Sequence, residues 1–279
     1  MGTVSTCRVW RRRCGQVRNG EVHDGMGLSL GTAERWVERW ERQQQRYAVD
    51  REERFTVIAD VVEQAVAGVP GRPLVVDLGC GPGSLAARLA RRMPYADIVA
   101  VDMDPLLLEL ARTHHADAAR YVDVMIGAEG WTHALGLDRP LDAAVSTTAL
   151  HYLDPDALHR TYRQLAGLLR PGGVLVNGDH FPHDDTVLAG LAGCVGRRHA
   201  ERGQVLAHED WASWWAAVAR DPELADLLAE RRRRQPAAAV DSAVRLSVPV
   251  HERLLRQAGF RHVGAVWQYG DSHVVVAIR

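Results

Sequence analysis

Between residues 74 and 178 short apolar runs alternate with helical stretches, and this alternation constrains the fold more than any other feature of the chain. The pattern predicts strands at 74–78, 98–102, 121–126, 141–146 and 173–178, with helices at 83–92, 105–116 and 155–169 between them. Strands that alternate with helices pair in parallel, because each crossover lays a helix on one face of the sheet. The segment "LRPGG" (169–173) ends a helix and starts a strand, with Pro and Gly where that transition needs them. Later, "HERLLRQAGF" reads as a helix, and "RHVGAVWQY" and "SHVVVAIR" as strands joined by a Gly-Asp turn. The expectation is an α/β fold with seven strands, parallel except for an antiparallel strand at the end.

Two helices precede the sheet. Thr32 is expected to cap the first, with Trp36, Val37 and Trp40 on one face; the second spans about 50–67. Residues 30–182 and 249–279 thus form a core with an N-terminal helical lid. Residues 183–248, rich in Ala, Arg and Trp, read as an inserted helical cap for substrate. Residues 1–29 read as a disordered extension, with Met26 as the natural start.

The first strand runs into "VVDLGCGPGS" (75–84), a carboxylate followed by three alternating glycines. Glycines there adopt torsions closed to other residues and let a ligand approach bare backbone. In an open parallel sheet that turn faces the crevice at the strands' carboxyl ends. Asp77 leaves an acid at the rim, and Asp102, ending "IVAVD", lies beside it on the next strand, where a carboxylate can accept both hydroxyls of a ribose. A dinucleotide turn would space its glycines GxGxxG and seat a pyrophosphate on the helix N-terminus. Here the spacing is GxGxG, and the nearby acid suits a ligand carrying an amino group or a sulfonium.

With these residues the chain resembles the class I S-adenosylmethionine-dependent methyltransferases, whose sheet is Rossmann-like. "VVDLGCGPGSLAARLA" looks like their first motif and "IVAVDMDPLLLELAR" their second. "LDAAVSTTALHYL" resembles their fourth-strand motif, and "LHRTYRQLAGLLRPGGVLVNGDH" the helix and strand after it. The resemblance covers roughly 32–180 and 250–279. It implies S-adenosylmethionine as cofactor and S-adenosylhomocysteine as product. Gly79, Gly81 and Gly83 would line the methionine part, Asp102 would hold the ribose and Met103 would pack on the adenine. The acid expected after the third strand falls at Ala128, with Glu129 one residue later; Trp131 could flank the adenine or equally serve the core. Tyr47, Arg51 and Arg54 would close over the cofactor carboxylate.

Methyl transfer needs alignment more than acid–base chemistry, so no strict catalytic signature is expected. His151 and His180, at the ends of strands four and five, are the candidate bases; Tyr152 and His183 lie beside them as acceptor contacts. Trp211, Trp214 and Trp215 share one helix face; Trp211 and Trp215 are candidate walls for a flat acceptor, and the arginines at 231–234 read as a solvated face.

The 279 residues are 47% hydrophobic and 25% charged, enough for one large core. All 34 cationic side chains are arginine, which rules out a lysine Schiff base or a lysine-bearing phosphate loop. A net charge of −1 and no binding module point away from nucleic acid. No apolar run is long enough to span a bilayer. Four scattered cysteines fit neither disulfides nor a zinc site, and no metal is expected. The reading is a cytoplasmic enzyme of specialised metabolism, compatible with a homodimer, methylating a small-molecule acceptor. The rivals are an NAD-dependent oxidoreductase and a non-catalytic protein that binds the cofactor or its product.

Overall fold

The structure is a computed structural model that describes residues 27–234 and 245–279. The expected extension (1–29) falls almost wholly outside these residues. Seven strands form one sheet: β1 (Leu74–Leu78), β2 (Asp97–Asp102), β3 (Arg120–Asp123), β4 (Leu141–Thr147), β5 (Leu169–His180), β6 (His262–Tyr269) and β7 (Ser272–Ile278), in the order β3-β2-β1-β4-β5-β7-β6. Strands β1 to β5 pair in parallel, and β7 runs antiparallel to both its neighbours. The order reverses between β1 and β4, so the crevice opens at their carboxyl ends.

Ten helices are described: α1 (Leu30–Gln45), α2 (Arg51–Val66), α3 (Ser84–Arg92), α4 (Pro105–His114), α5 (Trp131–Ala134), α6 (Pro155–Leu168), α7 (Thr186–Arg202), α8 (Trp211–Val218), α9 (Ala225–Arg234) and α10 (Val248–Gln257). Alternation along each strand divides the core. Val75, Ile98, Val145 and Val176 face α2 and α3, whereas Val76, Val99, Ala144 and Leu175 face α5, α6 and α10. A third cluster joins α1, α4, α8 and α9 through Trp36, Trp40, Leu106, Leu110 and Trp214.

Several boundaries differ from expectation, each for a local reason. Ser29, not Thr32, caps α1, its hydroxyl accepting from the Thr32 N–H. β3 stops at Asp123 because β2, its one neighbour among the described residues, ends opposite it at Asp102. β5 begins directly after α6, and the Pro-Gly-Gly of "LRPGG" makes a register shift against β4 rather than a loop. Asp104, Asp154, Asp185 and Asp210 each cap a helix with their side chains, two of them followed by proline. No described helix is long and apolar enough to cross a membrane.

Candidate active site

At the end of β1 the Gly79 and Cys80 N–H groups both donate to the Val101 carbonyl, folding the glycine turn against β2. Gly79, Gly81 and Gly83 all have positive φ. They do not play one role. A Cβ on Gly79 would overlap that of Ala149, and one on Gly83 would stand 2.9 Å from the Tyr121 hydroxyl. Packing within the protein therefore requires both glycines. At Gly81 a Cβ would meet only the Trp40 ring, at 3.7 Å.

Asp77 is fully buried, and among the described residues neither of its carboxylate oxygens has a hydrogen-bond partner. Burial pushes its pKa up to about 7; the Ala86 backbone N–H, outside hydrogen-bond geometry, opposes this and the Asp102 charge adds to it. Asp102 accepts from Gly81 N–H (2.8 Å) through one oxygen, and from Met103 and Asp104 N–H (2.8 and 2.9 Å) through the other. Burial raises its pKa too, against those three donors. The turn thus presents two carboxylates and a bare glycine, with Met103 half-buried beside them.

The lid residues all find partners within the protein. Arg51 is buried in an ion pair with Glu41, which also accepts from Ser84 and Arg88. This cluster bolts α1 to α2 and to the start of α3, so Arg51 is engaged within the protein. Arg54 is fully buried, donating to Ser272 Oγ (2.6 Å) and His180 Nε2 (3.2 Å). It sits against Gly178 of β5 and braces the tips of β5 and β7, away from the glycine turn. Tyr47 is half-exposed, and its hydroxyl accepts from Trp211 N–H (2.9 Å), tying the α1–α2 turn to α8.

On the β3 side, Glu129 is exposed in the turn before α5. Trp131 is a core residue, fully buried and donating to Gln164. The arginine run of α9 is only partly solvated. Arg231 pairs with Asp104 (2.5 Å) and lies over the Trp215 ring, and Arg234 pairs with Asp123 at the tip of β3. α9 is thereby fastened across the tips of β2 and β3. Trp211 and Trp215, both partly buried, pack edge-on against Trp40 and Trp214, respectively, at the margin of this helical cluster.

At the tip of β4, Thr148 has φ +50°, a left-handed conformation that is costly for a β-branched residue. Its N–H donates to Gly178 O (3.0 Å), locking the β4 tip to β5. The Thr148→Gly variant should gain about 1 kcal/mol in urea unfolding, because glycine adopts this φ freely; equal stability would show that the backbone is unstrained. Three residues on, His151 Nδ1 lies 2.8 Å from Asp179 Oδ2. Burial raises the Asp179 pKa, but the hydrogen bond and charge of His151, the His180 N–H and the Arg54 charge together hold it below the usual carboxylate range. Tyr152 is exposed with its ring 4.3 Å from that of His151. His183 stands beside His273, their ring centroids 6.1 Å apart. His180 has both ring nitrogens engaged, Nε2 by Arg54 (3.2 Å) and Nδ1 by Asp271 (3.1 Å). Sequence reasoning did not pair Asp179 with His151. The signal was available: an acid and a histidine at the tips of adjacent strands.

Residues 75–173 match the family model described as "Methyltransferase domain". An uncharacterised methyltransferase of Mycobacterium tuberculosis is 40% identical over 110 residues, 38% of this chain and 49% of that protein. A trans-aconitate 2-methyltransferase of Methylobacterium radiotolerans is 40% identical over 103 residues, 37% and 36% of the two chains. The chain spans about half the length, or less, of these curated relatives. Among solved structures, the magnesium protoporphyrin IX methyltransferase of Synechocystis, with SAH bound, superposes with a TM-score of 0.51 at 17% identity, covering 87% of this chain and 94% of that one. Residues 75–173 thus match a methyltransferase domain, and the fold is the one seen in a solved S-adenosylhomocysteine-bound methyltransferase.

Proposed function

We propose that this protein transfers the methyl group of S-adenosylmethionine to a small-molecule acceptor of specialised metabolism, in the cytoplasm. The observation that carries this reading is Asp77, a fully buried carboxylate at the glycine turn with no hydrogen-bond partner for either oxygen among the described residues. A buried polar group without a partner is costly, and an ammonium group of a bound ligand would satisfy it. Asp102 retains acceptor capacity for ribose hydroxyls, and Gly81 offers backbone without a Cβ. The residues present therefore fit the donor: Asp77 and the glycine turn at its methionine end, Asp102 at the ribose, Met103 at the adenine.

The bound donor supplies an activated methyl group on a sulfonium. The protein's own work is then to align the acceptor for in-line displacement, an effect that can reach roughly 7–11 kcal/mol. Two carboxylates at the turn would repel a pyrophosphate, which disfavours NAD. The trans-aconitate methyltransferases among the relatives support a small acceptor. The helical segment α7–α9, beside the crevice, supports a specialised one. Titration calorimetry on the full chain with S-adenosylmethionine, S-adenosylhomocysteine and NAD tests this. The two sulfur ligands should bind and NAD should not; NAD binding without a response to either sulfur ligand overturns the reading.

A further inference from the structure

We infer that the outward face of α7 is an interface with a second copy of this chain, the two helices lying antiparallel across a twofold axis at Leu191. The inference stands apart from the choice of donor and acceptor.

The position of α7 is set by its other face, which lies on the β6–β7 turn. A Cβ on Gly270 would stand 3.0 Å from the Ala192 carbonyl oxygen, and the His199 ring sits 4.6 Å from that of Tyr269. Arg202 donates to the Tyr269 hydroxyl, and Asp185 caps the start of the helix. The opposite face carries Val187, Leu188, Leu191 and Val195, which are 71, 50, 60 and 45% exposed. No other described helix exposes more than one large apolar residue, so this is a patch rather than scattered exposure.

Residues four apart share a helix face, so Val187, Leu191 and Val195 form one ridge along α7, with Leu188 and Cys194 on its flanks. A ridge of this spacing packs into the groove of a neighbouring helix. Gly190 lies in the groove alongside, where an added carbon would meet nothing within 4 Å. A side chain from outside can therefore enter there.

The sequence of α7 selects the neighbour. A twofold interface pairs each residue with one equally far from the axis on the other side. With the axis at Leu191, Val187 meets Val195 of the second copy, Leu188 meets Cys194, and Leu191 meets itself. The charges obey the same register: Asp184 falls opposite Arg198, and Asp185 opposite Arg197. All four are exposed, and none takes part in an ion pair among the described residues. Parallel pairing would set acid against acid and arginine against arginine. An anionic bilayer would cover the ridge but repel Asp184 and Asp185. The partner must carry an apolar ridge with base at one end and acid at the other, in the reverse order, and a second α7 does. An interface centred on one helix per copy is small beside a permanent one, so a dimer in the micromolar range is expected. β5 and β4 separate β7 from β1, so the glycine turn of each copy stays clear of the contact.

Sedimentation velocity on the full chain over a concentration series tests this. The 30.8 kDa chain should double in mass as concentration rises, and high salt should weaken the dimer by screening its outer pairs. Leu191→Arg should raise the dissociation constant by about 100-fold or more, because it sets two arginines face to face on the axis. Its thermal unfolding, followed where the parent is monomeric, should match the parent's, since Leu191 is exposed in the single chain. Arg198→Asp and Asp184→Arg should each weaken association by about 10-fold, and the two together, which exchange the charges, should restore it. In a Cys194→Ser background, Leu191→Cys should oxidise to a covalent dimer bridged at that position, whereas Val187→Cys should not. A monomer at every concentration overturns the inference, whatever other occupant the face takes. A dimer that Leu191→Arg leaves intact overturns it too, and failure of the charge exchange to restore association overturns the antiparallel register.

Discussion

Replacing Asp77 with asparagine should make the protein more stable at neutral pH and far poorer at binding its methyl donor. The folded-state pKa of Asp77 is raised from 3.8 to about 7 by burial. The folded chain therefore holds a proton that the unfolded chain releases. Stability from this group is fully present below pH 4 and is lost as pH rises to about 7 and beyond. Three units correspond to a loss of about 4 kcal/mol above pH 7. The amide avoids the charge but still buries an unpartnered polar group, so a gain of about 2 kcal/mol at pH 8 is expected, shrinking towards zero at pH 4. Urea unfolding at the two pH values reads this directly. Calorimetry should show donor affinity falling by about 10–100-fold, the worth of a hydrogen bond to a charged group. An unchanged affinity would remove Asp77 from the donor site; unchanged stability would mean that its burial costs nothing.

The Gly79→Ala substitution should be the most damaging single methyl in the turn. Its φ of +72° disfavours any Cβ, and the new carbon would overlap Ala149. A left-handed residue costs about 1–2 kcal/mol and overpacking a further 1–3 kcal/mol. Gly71→Ala separates the two effects, since its φ is +80° with nothing near the added carbon; it should lose only about 1–2 kcal/mol. Adding Ala149→Gly to Gly79→Ala should recover the overpacking part. Failure of that rescue in urea unfolding would mean that the two loops do not press on one another.

The sheet was largely legible because its signals are local. Runs such as Leu74–Leu78 and Asp97–Asp102 are buried on both faces and so read as continuous apolar segments. The glycine turn was legible because positive φ selects glycine whatever surrounds it. The side chains above the turn were not legible in the same way. Arg51 could as well have met a ligand; only the position of α1 reveals that Glu41 takes it. Trp131 read equally as an adenine contact or a core residue, and its sequence neighbours do not show that Gln164 holds its indole N–H. Arg231 and Arg234 looked solvated because their partners, Asp104 and Asp123, lie at the tips of strands far earlier in the chain. Pairings of this kind depend on how elements come together in space, and periodicity carries no trace of them.

The order of the sheet has a consequence for how the molecule is built. β7 lies between β5 and β6, and its Ser272 completes the bridge from Arg54 to Asp50. Strands β1 to β5 can zip together as the ribosome delivers them, yet β5 keeps an open edge until residues 272–278 emerge. Such late, distant pairing is slow to form. During synthesis the glycine turn can therefore assemble well before the tips of β5 and β7, where Asp179, His180 and Arg54 wait on that one strand for their final arrangement.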